Sequence, residues 1–320
     1  MLIIIFLVVC LLLFKGTATL HERLFPRLYN SVDFPEDYCP AANQKDFQIK
    51  VAAGYQRMKE TKVIICGLAK DDADILPLTI ARIEKTGSLF QDYRVIVYEN
   101  DSQDSTPDLL NKWAAANPKV KIITESIAGT PLMQLSRTGK LAYFRNRYLQ
   151  LIKESGEYGD YDFVIVADMD LKGGWSNDGI ATSFARSDWD VIAANSIGYH
   201  NLRKTYYDTF ALLPKTILKT NWLYKIIGEG WQLRRGDPLI KIQSGFGGLA
   251  VYRKAAILYR QYSGIVNGEI LCEHISLNAD NRLRYFLNPS QITIIGTQEK
   301  KKYRTASPLI STLSKLFLNW

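Results

Sequence analysis

Asp168 and Asp170 place two carboxylates two residues apart, directly after the apolar run Asp162-Phe-Val-Ile-Val-Ala. In a turn leaving a strand, such a pair can face one cation. Carboxylate oxygens suit a hard divalent ion such as Mn2+ or Mg2+, which bridges readily to a diphosphate. Spacing alone does not select this pair, because Asp-x-Asp recurs at 72/74, 160/162, 168/170 and 188/190. Only 168/170 directly follows a long apolar strand. The pairs at 160/162 and 188/190 precede strands, and 72/74 stands at a helix start, where solvated turn or cap acids are the plainer reading.

Four other groups carry chemistry by type. Glu99-Asn100-Asp101-Ser102 ends a second apolar run, where acid and amide groups can accept hydrogen bonds from a nucleotide base or ribose. The plainer alternative is an Asx-type turn, but Ser105 and Thr106 can cap the next helix unaided. Arg145, in Arg145-Asn146-Arg147, suits a diphosphate or a carboxylate such as Asp168, with a solvated helix flank as the alternative. Ser244-Gly-Phe-Gly-Gly-Leu-Ala-Val-Tyr252 lets backbone approach a ligand, yet it is not GxGxxG and enters a strand, so a Rossmann cofactor site is not supported. In Glu273-His274, the histidine can complete a metal shell and the glutamate can move a proton, against a purely structural role.

The elements that must position these groups alternate. Strands are expected at Lys62–Leu68, Tyr93–Glu99, Val120–Thr124, Asp162–Ala167 and Asp190–Asn195. Helices are expected at Asp74–Lys85, with Asp74 as cap, at Thr106–Ala116 opening on Thr106-Pro107, and at Thr138–Lys153, with Leu141, Phe144, Tyr148 and Leu151 on one face. This is the order of an α/β domain with a mostly parallel sheet flanked by helices, whose ligands bind beyond the carboxyl ends of the strands.

The 320 residues are 47% hydrophobic and 22% charged, a globular composition that excludes disorder and disulfide scaffolds. Five basic residues and no acid fall in the last 21, so much of the net charge of +8 sits in the tail. No basic stripe crosses the body, which argues against nucleic acid as a partner. The four cysteines lack CxxC spacing, which disfavours structural zinc and leaves a Cys39–Cys272 disulfide as an expectation to test. Leu2–Phe14 is a 13-residue apolar run, shorter than the roughly 20 residues of a spanning helix. We read 1–20 as a signal anchor, with a cleaved signal peptide second, 21–60 as a stem, 61–296 as the domain, and 297–320 as a basic tail. Leu309, Leu313, Leu316 and Phe317 give that tail a short amphipathic helix, suited to packing on the domain or to a membrane surface.

The ordered set Tyr98-Glu99-Asn100-Asp101-Ser102, Arg145-Asn146 and Val166-Ala-Asp168-Met-Asp170 is similar to the GT-A nucleotide-sugar glycosyltransferases. Tyr206-Tyr-Asp208-Thr-Phe-Ala211, Gly245–Tyr252 and Cys272-Glu273-His274 resemble the fungal capsule-associated α-1,3-mannosyltransferase family. The resemblance covers about residues 61–296. It implies transfer of a sugar, mannose by the family's example, from a nucleotide-diphosphate donor to a glycan hydroxyl. It also implies a divalent ion, Mn2+ ahead of Mg2+, and a type II membrane protein on the lumenal side of the Golgi or another endomembrane. Glu99, Asn100 and Asp101 would lie by the donor with Arg145, and Asp168 and Asp170 would hold the metal–diphosphate. His274 would be a late metal or phosphate contact, and Asp208 and Glu273 would serve the acceptor. The aromatic-rich stretch Thr216–Arg235, with Trp222, Tyr224 and Trp231, has no close match in that family. Two alternatives stand beside this: a haloacid-dehalogenase-like phosphatase, whose nucleophile motif would not carry Lys172, and a non-catalytic glycan-binding protein on the same fold.

Overall fold

Apolar runs whose alternate residues are both buried demand cover on both faces of a sheet. In the computed structural model the run Lys62–Ala69 forms such a strand, β1, with Ile64 and Cys66 packed to one side and Val63 and Ile65 to the other. The structure describes residues 21–297 except 23, 201–202, 215–232 and 281. The runs at Leu2–Phe14 and Leu309–Phe317, and Trp222, Tyr224 and Trp231, lie outside the described residues. Among the described residues no helix is long and apolar enough to cross a membrane.

Helix α1 (Gln44–Met58) precedes β1, and the chain then alternates through α2 (Leu76–Ser88), β2 (Asp92–Glu99), α3 (Thr106–Ala116), β3 (Val120–Thr124), α4 (Arg137–Glu154) and β4 (Phe163–Ala167). A short strand β5 (Gly174–Trp175) and helix α5 (Asn177–Phe184) lead to β6 (Val191–His200), β7 (Arg203–Tyr206) and β8 (Leu213–Pro214). The later part holds β9 (Ile240–Ser244), β10 (Leu249–Arg253), a helical turn α6 (Lys254–Ile257), the hairpin β11 (Ile265–Val266) and β12 (Glu269–Ile270), α7 (Glu273–Leu277) and β13 (Tyr285–Thr297).

The sheet runs β3-β2-β1-β4-β10-β6-β13-β9-β8. Its first four strands are mutually parallel, β10 is antiparallel to β4 and β6, and β13 is parallel to β6. On one face α4 and α7 contribute Tyr148, Leu149, Ile152 and Ile275 to the core. On the other, α2, α3 and α5 contribute Ile83, Trp113, Ile180 and Phe184. The mostly parallel α/β architecture expected from the alternation is thus the observed one.

Three expectations need correction. Residues 21–60 do not form a separate stem. Leu28, Tyr29, Phe34 and Cys39 form a cluster with Ile197 and Tyr199 of β6 and Ile292 and Ile294 of β13, and α1 packs on α5. Asp74 does not cap α2: the helix starts after Ile75, with Pro77 in its first turn. Cys39 and Cys272 are both free thiols, buried in different clusters.

Gly54 is what lets α1 approach α5, since a Cβ there would meet the Ala181 carbonyl oxygen at 1.8 Å. Gly54→Ala is therefore expected to cost ~1–3 kcal/mol by overpacking, read as a lowered urea midpoint. On a free stem helix the same change would instead stabilise by ~0.5–1 kcal/mol. An unchanged or raised midpoint would separate α1 from the domain.

Candidate functional site

Because β3, β2, β1 and β4 are parallel neighbours, their carboxyl ends share one edge. The loops leaving that edge carry Glu125, Glu99–Ser102, Asp71–Asp74 and Asp168–Asp170. This brings the discounted 72/74 pair to the selected one. Burial pushes the Asp72 carboxyl up to about 7, with Asp170, Asp104 and Asp74 adding repulsion against the Lys70 backbone N–H that stabilises its anion. Asp170 is exposed, yet enough protein surrounds it to raise its carboxyl pKa, an effect that Arg137 and Arg145 oppose and Asp74 reinforces.

Asp168 lies one residue beyond β4 and donates its backbone N–H to the Gly248 carbonyl at 2.8 Å. Gly247 and Gly248 have φ of +69° and +76°, and a side chain at 247 would meet the Ala194 carbonyl oxygen at 2.5 Å. Glycine is required there by both conformation and space. The Gly247 N–H donates to Asp208 Oδ2 at 2.8 Å, while Asp208 Oδ1 accepts from the Ala211 N–H at 3.3 Å. One glycine turn therefore holds the backbone of Asp168 and the carboxylate of Asp208. Burial raises both carboxyl groups, that of Asp168 to about 7, where Arg145 pulls down and Asp170 and Asp208 push up.

Arg145 is the hub. Its side chain is 4% exposed, donates from Nη2 to Asp168 Oδ1 at 3.2 Å and from Nε to Glu273 Oε1 at 3.2 Å. The guanidinium lies over Phe246 at 5.1 Å and Tyr262 at 5.9 Å. Burial opposes its charge, but Tyr148, Glu273 and Asp168 outweigh burial and hold its pKa above the usual arginine value. The solvated-flank alternative is thereby excluded for Arg145. Its neighbours on α4 are also engaged: Asn146 exchanges hydrogen bonds with both backbone groups of Tyr262, and Arg147 Nε donates to Glu125 Oε1 at 2.7 Å.

His274 does not join Asp168 and Asp170. Its ring stacks on Phe246 at 3.9 Å, and Nε2 lies 3.7 Å from Glu273 Oε1. Burial, and then Arg145, depress its pKa, which keeps the imidazole neutral. Both ring nitrogens and Arg145 Nη1 are buried without a partner among the described residues. Among those residues no three His, Cys, Asp or Glu side chains stand close enough to hold an ion. The described residues thus do not gather Asp168, Asp170 and His274 into one cluster, and the His274 ring lies between Phe246 and Glu273 contacts instead.

The residues expected beside a donor are built into the rim. Glu99 is buried and its Oε1 accepts from the Ser102 N–H at 3.0 Å. Asn100 Nδ2 donates to Asp101 Oδ2, and Asp101, at φ +49°, accepts from Ser126 Oγ at 2.6 Å and the Ile127 N–H at 3.0 Å. Asp101 ties the β2 exit to the β3 exit, while Glu99 turns one carboxylate oxygen to the backbone of its own loop. Sequence reading missed Glu125, which accepts from Tyr98, Tyr143 and Arg147, and Phe246 and Tyr262, the aromatic walls around Arg145. The glycines beside Phe246 were the available signal for it, and Glu125 stood visibly at a strand end.

No family model matches the chain, and no curated protein matches it. Among solved structures it is similar to the mannosyltransferase PcManGT from Pyrobaculum calidifontis in complex with GDP-Man and Mn2+, at 14% identity and TM-score 0.48, over 85% of this chain and 73% of that one. It is similar to S. aureus TarS 1-349 at 14% identity and TM-score 0.42, over 74% of this chain and 60% of that one. It is also similar to GalNAc-T7 with UDP, GalNAc and Mn2+, at 11% identity and TM-score 0.46, over 78% of this chain and 46% of that one. The chain spans about three fifths of the TarS chain and under half of the GalNAc-T7 chain.

The Asp72 environment has a measurable consequence. Its carboxyl rises from 3.8 to about 7 on folding. Between those values the folded chain binds more protons than the unfolded one, so this group's contribution to stability is present at low pH and lost as pH rises through 7. Asp72→Asn keeps the acceptor for Lys70 and removes the titration. Urea midpoints of metal-free protein at about pH 5 and about pH 7.5 should fall less in the variant than in wild type. Equal falls would place Asp72 in ordinary solvent.

Proposed function

We propose that this chain is a GT-A nucleotide-sugar glycosyltransferase that uses a divalent ion, Mn2+ ahead of Mg2+, to move a sugar onto a glycan hydroxyl. The observation that carries the reading is the buried Arg145, which joins Asp168 at the carboxyl edge of the parallel strands to Glu273 in the second half of the chain. An acid for ion binding and an acid for proton transfer are thereby held by one rigid fork.

Asp168 and Asp170 fit an ion. They offer hard oxygens, and burial first, with repulsion from neighbouring carboxylates after it, raises the carboxyl pKa of each, a cost that a bound cation would offset. Two carboxylates suffice where a diphosphate and water complete the coordination. A bound ion would supply neutralisation of charge on the departing nucleoside diphosphate. The protein's own residues do the rest. Asp101 and Asn100 shape the rim where a nucleotide would sit, and Arg145 fixes the direction of the Glu273 carboxylate. Glu273 accepts the proton of the acceptor hydroxyl, and Asp208, anchored on Gly247, orients that hydroxyl. Mannose as the sugar and kinship with the fungal capsule-associated family belong to the same proposal. So does a lumenal endomembrane location through residues 1–20, which rests on sequence alone.

A thermal-shift screen of GDP, UDP and their sugars tests the donor side. A nucleotide present at 100 times its Kd should raise stability by ~2.7 kcal/mol. The rise should require Mn2+ and vanish in Asp170→Asn, whereas Asp190→Asn, which loses only the Arg284 ion pair, should keep it. Equal loss in both would remove the basis for choosing 168/170.

Glu273→Gln retains an acceptor for Arg145, so donor binding should persist while transfer falls ~10²–10⁴-fold. Donor affinity and transfer rate measured on that one variant decide the point. Lost Mn2+-dependent donor binding would move Glu273 into the ion site.

A further inference from the structure

The turn that leaves Asp170 is gripped from the side by α2. Thr79, Arg82 and Thr86, spaced three and four apart, form a stripe where an amphipathic helix ordinarily places apolar side chains. They are 0%, 4% and 1% exposed. Each directs its polar atoms at residues 169–177. Thr79 Oγ1 donates to the Met169 carbonyl at 2.8 Å. Arg82 donates from Nη1 to the Leu171 carbonyl at 2.9 Å and from Nη2 to the Lys172 carbonyl at 3.1 Å. Thr86 donates to Asn177 Oδ1 at 2.8 Å and accepts from Trp175 Nε1 at 2.9 Å.

Arg82 also reaches the N-terminal segment, donating from Nε and Nη2 to the Ser31 carbonyl at 3.1 and 2.9 Å. Its hydrogen-bond partners are three backbone carbonyls, and burial alone lowers its pKa, to about 10. A buried cation without a carboxylate is costly, so its retention calls for a reason. A planar fork can span the successive carbonyls of residues 171 and 172, which a lysine ammonium cannot match in one plane. The loop closes tightly on that fork: Gly174 has φ +63°, and a Cβ there would meet Arg82 Nε at 2.7 Å. Arg82 meets the turn at the carbonyls of Leu171 and Lys172, so it acts on Asp170 through the backbone it holds.

We propose that Thr79 and Arg82 are positioning residues for the Asp168–Asp170 turn, fixing the carbonyls on both sides of Asp170 so that the two carboxylates keep one direction before an ion arrives. The Ser31 contact extends this brace to the segment before α1. Backbone left unfixed would have to be ordered as the ion binds, weakening affinity. The proposal rests on the reading of Asp168 and Asp170 as the ion-binding pair.

The test is calorimetric titration with GDP and with UDP, each with and without Mn2+, and the readout is the factor by which Mn2+ tightens nucleotide binding. Outer partners of metal ligands typically contribute ~10–100-fold to metal affinity. Thr79→Val and Arg82→Lys should each cut the Mn2+ factor by that order. Thr86→Val, which releases the chain farther from Asp170, should lower Tm and leave the factor unchanged. If Thr79→Val and Arg82→Lys lower Tm with an unchanged factor, or if all three variants lose it alike, the stripe is only structural and the proposal fails. Should Arg82→Lys not fold, Thr79→Val decides alone. A wild-type protein with no Mn2+ factor overturns the reading of 168/170 and this proposal with it. A factor lost in Asp170→Asn but kept in Thr79→Val overturns the proposal alone.

Discussion

A guanidinium taken out of water must be met by acceptors on its donor edge, and most of this site follows from meeting that demand at Arg145. Its acceptors come from places 105 residues apart in sequence, Asp168 after β4 and Glu273 at the start of α7. The two carboxylates share the burden: without either one the guanidinium keeps a charged partner, whereas loss of both would strand a buried charge, which typically costs ~3–5 kcal/mol. The aromatic walls follow from the same demand. Phe246 and Tyr262 cover the guanidinium faces, and Asn146, the next residue on α4, holds Tyr262 by both its backbone groups. His274 stacks on Phe246 and stays neutral there, which avoids placing a second cation near the first.

The parts legible in sequence are those set by local pattern. Strands β1, β2 and β4 are runs of apolar residues buried on both faces, and the Asp168–Asp170 pair stood out because it follows β4 without a gap. The parts that were not legible depend on spatial order. Asp72 and Asp74 looked like helix-start acids because sequence shows them beside α2. The sheet places β1 against β4, which sets the β1 exit loop next to Asp170. Before α1, the buried residues Leu28, Tyr29, Phe34 and Cys39 pack on β6 and β13 with no period to read, whereas α1 buries Phe47, Val51, Gly54 and Met58 at helical spacing, a signal that mixed polar neighbours obscured.

Arg145 shows a different limit. It follows Phe144 and stands three residues before Tyr148, so helical geometry permits it on the buried face. A hydropathy pattern assigns an arginine to solvent by default, and only the two carboxylates that meet it reverse that assignment. The same holds for Arg82 and Thr79 on α2. Polar residues at core positions read as errors in a pattern, and become intelligible when the backbone carbonyls opposite them are known.

The antiparallel strand β10 explains how the two halves of the chain come to share one site. In a parallel sheet every strand presents its carboxyl end at the ligand edge and its amino end at the opposite edge. A reversed strand among them does the converse, so the loop that enters it arrives at the ligand edge. Leu249, the first residue of β10, pairs with Ala167, the last of β4. Gly247 and Gly248 just before it therefore stand beside Asp168, and Phe246 reaches Arg145. The other neighbour, β6, runs parallel to β4, and at Ser196 it accepts the backbone N–H of Asp208, the residue that Gly247 also holds. Turning one strand around thus brings Asp208 and Phe246 of the second half to the edge where the first half gathers its acids. The tight glycine turn is the local condition for it, because any side chain at 247 would collide with the carbonyl of Ala194.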